Sequence, residues 1–336
     1  MKKIAFLFVL STLTMAGFPT GKTKNSGLKL TDTITLPNVK GGFDLMAADV
    51  KGKRLFVSAQ DNHTLEVVDL NAMKQLKSLP GFEEPKWVVY RPESNRLYVA
   101  TGLDGKVTVL DGRTYQTIKS FQFREACNNL RFDVGKNLLY VGVGKTYGAI
   151  GIIDVQHDKI VGEIALSKFP KQFELDGNKM YVNVPESNTV EVADLQSRKV
   201  IATWPVKEAK DNVPMAIDRA HQRLFIGCEP GKLLVYDLKE EKVTNSIDIS
   251  KEADGIYYDQ KRSQIYVSCG EGFVDVIKQI TPDSYRPVSK IQTVAGAGTS
   301  LFIPELDFFI LAVPQNDKNK AEIRVYQPVN DLKQIK

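Results

Sequence analysis

The chain has 336 residues, 43% of them hydrophobic and 25% charged, with a formal net charge of +5. No low-complexity tract interrupts it, which excludes a fibrous or disordered chain and describes an ordinary globular protein. The mild, evenly spread charge argues against nucleic acid or anionic lipid as the dominant partner.

The N-terminus has three parts. Met1-Lys2-Lys3 is charged, Ile4 to Leu10 is apolar, and Thr14-Met15-Ala16 precedes Gly17 as a small-residue cleavage site. This pattern predicts a signal peptide over 1–16 and a periplasmic or extracellular destination. The apolar run is too short for a membrane span. A polar, flexible leader is expected over 17–29, and a single domain over 30–336. The three cysteines cannot all pair within one molecule. Cys228 and Cys269 are expected to be small buried hydrophobes. Cys127, at the start of an inner strand, is placed where a channel could expose it. No CxxC motif is present, so covalent haem and cysteine-type metal sites are excluded.

From residue 54 onward one phrase recurs: a polar residue, a hydrophobe, an aromatic, an aliphatic. It reads Arg54-Leu55-Phe56-Val57, Arg96-Leu97-Tyr98-Val99, Leu138-Leu139-Tyr140-Val141 and Lys179-Met180-Tyr181-Val182. It continues as Arg223-Leu224-Phe225-Ile226, Gln264-Ile265-Tyr266-Val267 and Asp307-Phe308-Phe309-Ile310. The interval of about 42 residues is that of a four-stranded propeller blade. The expected fold is therefore all-β, a seven-bladed β-propeller of four-stranded blades.

Each unit has the same grammar. In the second, strands are expected at Pro85 to Tyr90, Arg96 to Thr101, Lys106 to Leu110 and Gln116 to Phe121, separated by turn-forming clusters. An Asp closes the third strand of the first five units: Asp69, Asp111, Asp154, Asp194 and Asp237. A short carboxylate there caps the next turn by accepting backbone N–H groups, a structural role and not a catalytic one. The sixth unit lacks this Asp, and the seventh lacks a fourth strand. Thr31 to Leu36, ahead of the first unit, alternates like an outer strand and is expected to complete the seventh blade, closing the ring.

The segments "RLYVATGLDGKVTVLDGRTYQTIKSF" (96–121) and "RLFVSAQDNHTLEVVDLNAMKQLKSL" (54–79) resemble YVTN repeats of the YncE-like seven-bladed propellers. The resemblance covers nearly the whole mature chain. It implies this fold, an extracytoplasmic setting and a binding or surface role. Tyr98-Val99-Ala100-Thr101 and Tyr181-Val182-Asn183 depart from the namesake motif.

Inner-strand starts ring one mouth of a propeller channel, and convergent polar groups there mark the expected binding site. The ring comprises Phe43, Asp44, Glu84, Lys86, Asn128, Asn129, Lys171, Gln172, Asn212, Asp254 and Thr299. Lys86, Asn128, Asn129, Lys171, Gln172, Asn212 and Asp254 are the candidate ligand contacts for a small molecule, a protein or a cell-envelope component. No cofactor is expected. An alternative follows from a weaker resemblance to gluconolactonase-type propellers, carried by Glu84-Pro85-Lys86-Trp87, Asn129 to Asp133, Asn212-Val213-Pro214-Met215 and Asp254-Gly255-Ile256. It implies Ca²⁺ or another divalent cation on Glu84, Asn129, Asn212 and Asp254, with Asp254 as base in lactone hydrolysis. A third reading takes Lys86, Arg124, Arg131, Lys168 and Lys171 as a basic arc for single-stranded nucleic acid or a cell-envelope polymer. Trp87 is expected in the core and Trp204 on an exposed outer strand. His63, His157 and His221 fall in turns, which leaves zinc and triad chemistry without support.

Overall fold

The structure is a computed structural model that describes residues 27–317 and 320–329. The expected signal segment and leader residues 17–26 lie outside the described residues. Strands organise into seven antiparallel sheets of four, arranged as a ring of blades: a seven-bladed β-propeller. No helix among the described residues is long and apolar enough to cross a membrane.

In chain order, the inner strands of blades 1 to 7 are Asp44–Asp49, Pro85–Arg91, Cys127–Asp133, Phe173–Asp176, Met215–Asp218, Ala253–Asp259 and Ser300–Ile303. The outer strand of blade 7 is Gly27–Thr35, which pairs antiparallel with Glu322–Val329. Closure therefore comes from the N-terminal strand, as its alternation predicts, and that strand begins at Gly27, several residues before Thr31. Its register places Ile34 opposite Ile323, and both are buried in the core between blades 7 and 1.

Among the described residues there are seven hydrophobic cores, one at each blade interface. Alternation along the second strands explains this. Leu55 and Val57 face blade 7, while Phe56 between them faces blade 2. The same arrangement repeats through Tyr266, which faces blade 7. Blade 7 departs from it. A positive-φ residue precedes the second strand in blades 1 and 6, at Lys53 and Ser263, and its counterpart is Asp307. The position equivalent to Phe56 is therefore Ile310, which faces blade 1, and Phe309 occupies the Leu55 position, facing blade 6. The seventh phrase is shifted by one residue, and such a shift exchanges the two faces of a strand.

The turn aspartates cap as expected. Asp69 accepts from the N–H groups of Asn71 and Ala72 (2.8 and 2.9 Å), and Asp237 accepts from Lys239 and Glu240 (2.8 and 3.0 Å). These bonds hold both carboxyls below the ordinary carboxylate range. In blade 6 the strand runs on to Thr281, so no turn follows Lys278 and no cap is needed there.

Between blades 6 and 7, Arg262 forms a double bond pattern with Asp307, at 2.7 Å from Nη1 to Oδ1 and 2.6 Å from Nη2 to Oδ2. Its Nη1 also donates to buried Asp259 at 2.9 Å, whose Oδ2 accepts from the Tyr266 hydroxyl at 2.9 Å. This network joins the last two blades.

Candidate binding site at the channel mouth

Seven inner-strand starts converge on one mouth of the channel because each blade begins at the axis. A crevice of about 70 Å³ sits there, lined by Asp44, Asn128, Asn129, Lys171, Gln172 and Asp254, with Leu45 and Val213. Beside it, between blades 5, 6, 7 and 1, a wider cavity of about 520 Å³ opens to solvent. Lys171 and Asp254 line both. Glycines 42, 270, 296 and 298 line the wider cavity, so backbone is accessible along part of its wall.

Asp44 and Asp254 are both half-buried. Desolvation, followed by repulsion from Asp254, pushes the Asp44 carboxyl up to about 7; Lys86, the Leu45 amide at 2.9 Å and Lys171 oppose the rise. Desolvation also raises Asp254, against the Thr299 hydroxyl and Lys171. The Thr299 hydroxyl oxygen is 3.1 Å from both the Phe43 carbonyl oxygen and Asp254 Oδ2. One hydroxyl carries one proton. Thr299 therefore donates to one of these two acceptors at a time. Burial thus raises both carboxyls, and Asp254 adds to the rise of Asp44.

The expected residues divide into three groups. Asn128, Asn129, Lys171, Gln172 and Asp254 come together at the crevice, along with Asp44. Gln172 is committed structurally: its amide donates to the Asp254 carbonyl at 3.1 Å and accepts from the Met215 N–H at 3.2 Å, which ties neighbouring blades 4, 5 and 6 together. Lys86 stands at the rim, held by Glu84 Oε1 at 2.9 Å and Gln60 Oε1 at 2.8 Å. Asn212 is elsewhere. It is fully buried and donates to Asn183 Oδ1 and the Thr189 carbonyl, both at 2.8 Å. The inner strand of blade 5 starts at Met215, three residues later than the sequence suggests, because Pro214 lacks an N–H and packs its ring against Gly227. A Cβ on Gly227 would lie 2.7 Å from Pro214 Cγ, so glycine is required at that close approach.

The four oxygen residues of the gluconolactonase resemblance are therefore not brought to one point. Asn129 and Asp254 share the crevice, Glu84 pairs with Lys86, and Asn212 lies between blades 4 and 5. No group of three His, Cys, Asp or Glu among the described residues could hold a metal ion. The basic arc is also dispersed: Arg124 lies over the Tyr147 ring and Arg131 over the Trp87 ring within the channel.

Cys127 is fully buried and not open to the channel, and burial pushes its thiol up; Cys228 and Cys269 are buried as expected. Trp204 is buried rather than exposed, packed between Tyr181 and Tyr236 at centroid distances of 5.5 and 5.8 Å. Asp44 stood in the sequence ring of polar residues, but no sequence signal singled it out. Only the ring closure that sets blades 1 and 6 on either side of blade 7 places it near Asp254.

No family model matches the chain, and no curated protein matches it. Among solved structures, a chain from the crystal structure of the mitotic checkpoint complex has a TM-score of 0.76 at 14% identity, covering 98% of this chain and 100% of its own. A chain of Kuenenia stuttgartiensis hydrazine synthase has a TM-score of 0.74 at 17% identity, covering 88% of this chain and 97% of its own. At these identities the likeness is one of fold.

Proposed function

We propose that this protein is an exported binding or scaffold module of the YncE-like kind, which captures its ligand at the channel mouth without turning it over. The observation that carries the reading is the convergence of Asp44, Asn128, Lys171 and Asp254 on a crevice continuous with an open cavity. A concave site with few, directed polar groups is the usual form of a ligand pocket. The export segment rests on the n/h/c pattern of residues 1–16. A chain of the same fold comes from a protein assembly, which agrees with a scaffold role.

The test is thermal shift of the mature protein against a panel of sugars, amino acids, polyamines and muropeptides, combined with metal analysis and a δ-gluconolactone hydrolysis assay. We expect at least one panel member to raise the Tm, an effect lost in both Lys171→Gln and Asp254→Asn, with no lactone turnover. Cation-dependent lactone hydrolysis abolished by Asp254→Asn would overturn the reading in favour of an enzyme. Salt-sensitive binding of an oligonucleotide, lost in Lys86→Gln, would overturn it in favour of the basic arc.

A further inference from the structure

Behind the polar mouth the channel widens. A second cavity of about 520 Å³ is lined by inner-strand residues from all seven blades. It lies toward the other face, because Arg219 and Pro304 in its wall follow the ends of their inner strands at Asp218 and Ile303. Gln172, which lines both spaces, is bonded to blades 5 and 6 between them, and the mouth crevice is only large enough for a few waters. The second cavity therefore meets the mouth crevice only at Leu45 and Gln172 and reaches the opposite face at Arg219 and Pro304.

The chemistry of this second wall differs from that of the mouth. It is rich in aromatic side chains, including Trp87, Phe132 and Tyr257. The guanidinium of Arg131 lies 4.3 Å from the Trp87 ring centroid. One face of that cation is thus covered by an indole, and guanidinium planes also stack on a second ring. Arg131 Nη2 donates to Glu174 Oε1 at 3.1 Å, and Nη1 donates to the Leu130 carbonyl at 3.2 Å. Arg219 reaches the same carboxylate at 3.4 Å and donates to the Leu175 carbonyl at 2.6 Å, with Asp176 at 3.9 Å by the entrance. Glu174 is thus shared by two guanidiniums, and together these carry about ten N–H donors. The four bonds just described use fewer than half of that capacity.

We infer that this channel cavity is a second ligand site, entered from the face opposite the polar mouth, and that it takes a small planar aromatic acid. Its ring packs among Trp87, Phe132 and Tyr257 and against Arg131. Its carboxylate accepts from the N–H groups of Arg131 and Arg219 that Glu174 leaves unused. Bidentate acceptance of this kind is what distinguishes guanidinium from ammonium as a partner for carboxylates. The volume falls within the range of small-molecule pockets.

Calorimetry on the mature protein tests this with phenylacetate as probe. Phenylacetamide removes the charge, and cyclohexylacetate removes the aromatic face. Phenylacetate is expected to bind saturably with one site, and both analogues about tenfold or more weaker. Arg131→Gln should weaken phenylacetate about tenfold. Arg219→Gln, at an exposed guanidinium whose loss leaves the cores intact, should weaken it severalfold. Lys171→Gln should leave it unchanged, which separates this site from the mouth. Absence of saturable binding, equal affinity for cyclohexylacetate, or retention of wild-type affinity in Arg219→Gln would each overturn the inference. Loss of phenylacetate binding in a folded Lys171→Gln variant would assign the ligand to the mouth and overturn it also.

Discussion

The second strands and the starts of the inner strands occupy equivalent places in every blade, yet they obey different rules. In the second strands a buried aromatic recurs from Phe56 to Tyr266 because each blade interface presents the same volume to fill. At the inner-strand starts no interface has to be filled, and the residues differ from blade to blade: Asp44, Lys86, Asn128, Lys171, Asp254, Thr299. A recurring physical demand yields a recurring residue. Where that demand is absent, side-chain choice is free to serve a ligand, and this contrast makes the mouth the functional candidate.

The largest expected effect breaks the interface side of the comparison. Phe225 is fully buried and contacts the rings of Tyr258 and Tyr285 at 5.6 and 5.9 Å. Phe225→Ala should cost about 3–5 kcal/mol of stability by urea denaturation, through lost transfer energy and the cavity left behind. Asn128→Ala at the mouth should fall within about 0.5 kcal/mol of wild type. If the two variants are equally destabilised, the division between structural and free positions fails.

Arg262 should give the next largest change. Arg262→Met strips the charge partner from Asp259, which stays buried, and from the more exposed Asp307. A cost of about 2–3 kcal/mol is expected, at the lower end for broken buried pairs because Asp307 is partly hydrated. The urea midpoint should fall with an unchanged m-value. A change in m would instead mean that blades 6 and 7 unfold separately from the rest.

Periodicity made the ring legible, since blade number and N-terminal closure both follow from a 42-residue repeat and one alternating strand. It also misled where a blade departs from the average. Phe309 looks like the seventh aromatic, but Asp307 takes the turn position, so Ile310 fills the Phe56 place. Asn212 looked like a strand start because Pro214 conceals the true one at Met215. Trp204 looked exposed because outer strands generally are, but Tyr181 and Tyr236 enclose it. The mouth was legible as a set of polar positions. The Asp44–Asp254 pairing was not, because it depends on ring closure setting blades 1 and 6 on either side of blade 7, where Thr299 bridges them, and no local pattern encodes that.

That pairing sets the smallest and most discriminating expectation. Burial and Asp254 lift the Asp44 carboxyl from its ordinary 3.8 to about 7. Below about pH 4 it is protonated in the folded and unfolded chain alike and has no effect on stability. Between the two values the unfolded chain releases the proton while the folded chain retains it, so stability falls as pH rises. Above 7 the penalty is complete. Asp44→Asn should therefore match wild type near pH 4 and exceed it by about 1–2 kcal/mol near pH 8, a figure reduced for partial hydration. Asp254→Asn removes the repulsion and should move the transition of Asp44, followed by carboxyl NMR titration, to lower pH. An interface residue is retained because it stabilises the ring; Asp44 would then be a residue retained against stability, as expected of a position kept for what it binds. If Asp44→Asn is no more stable than wild type at pH 8, the mouth carries no such strain, and the contrast with the blade interfaces reduces to one of packing alone.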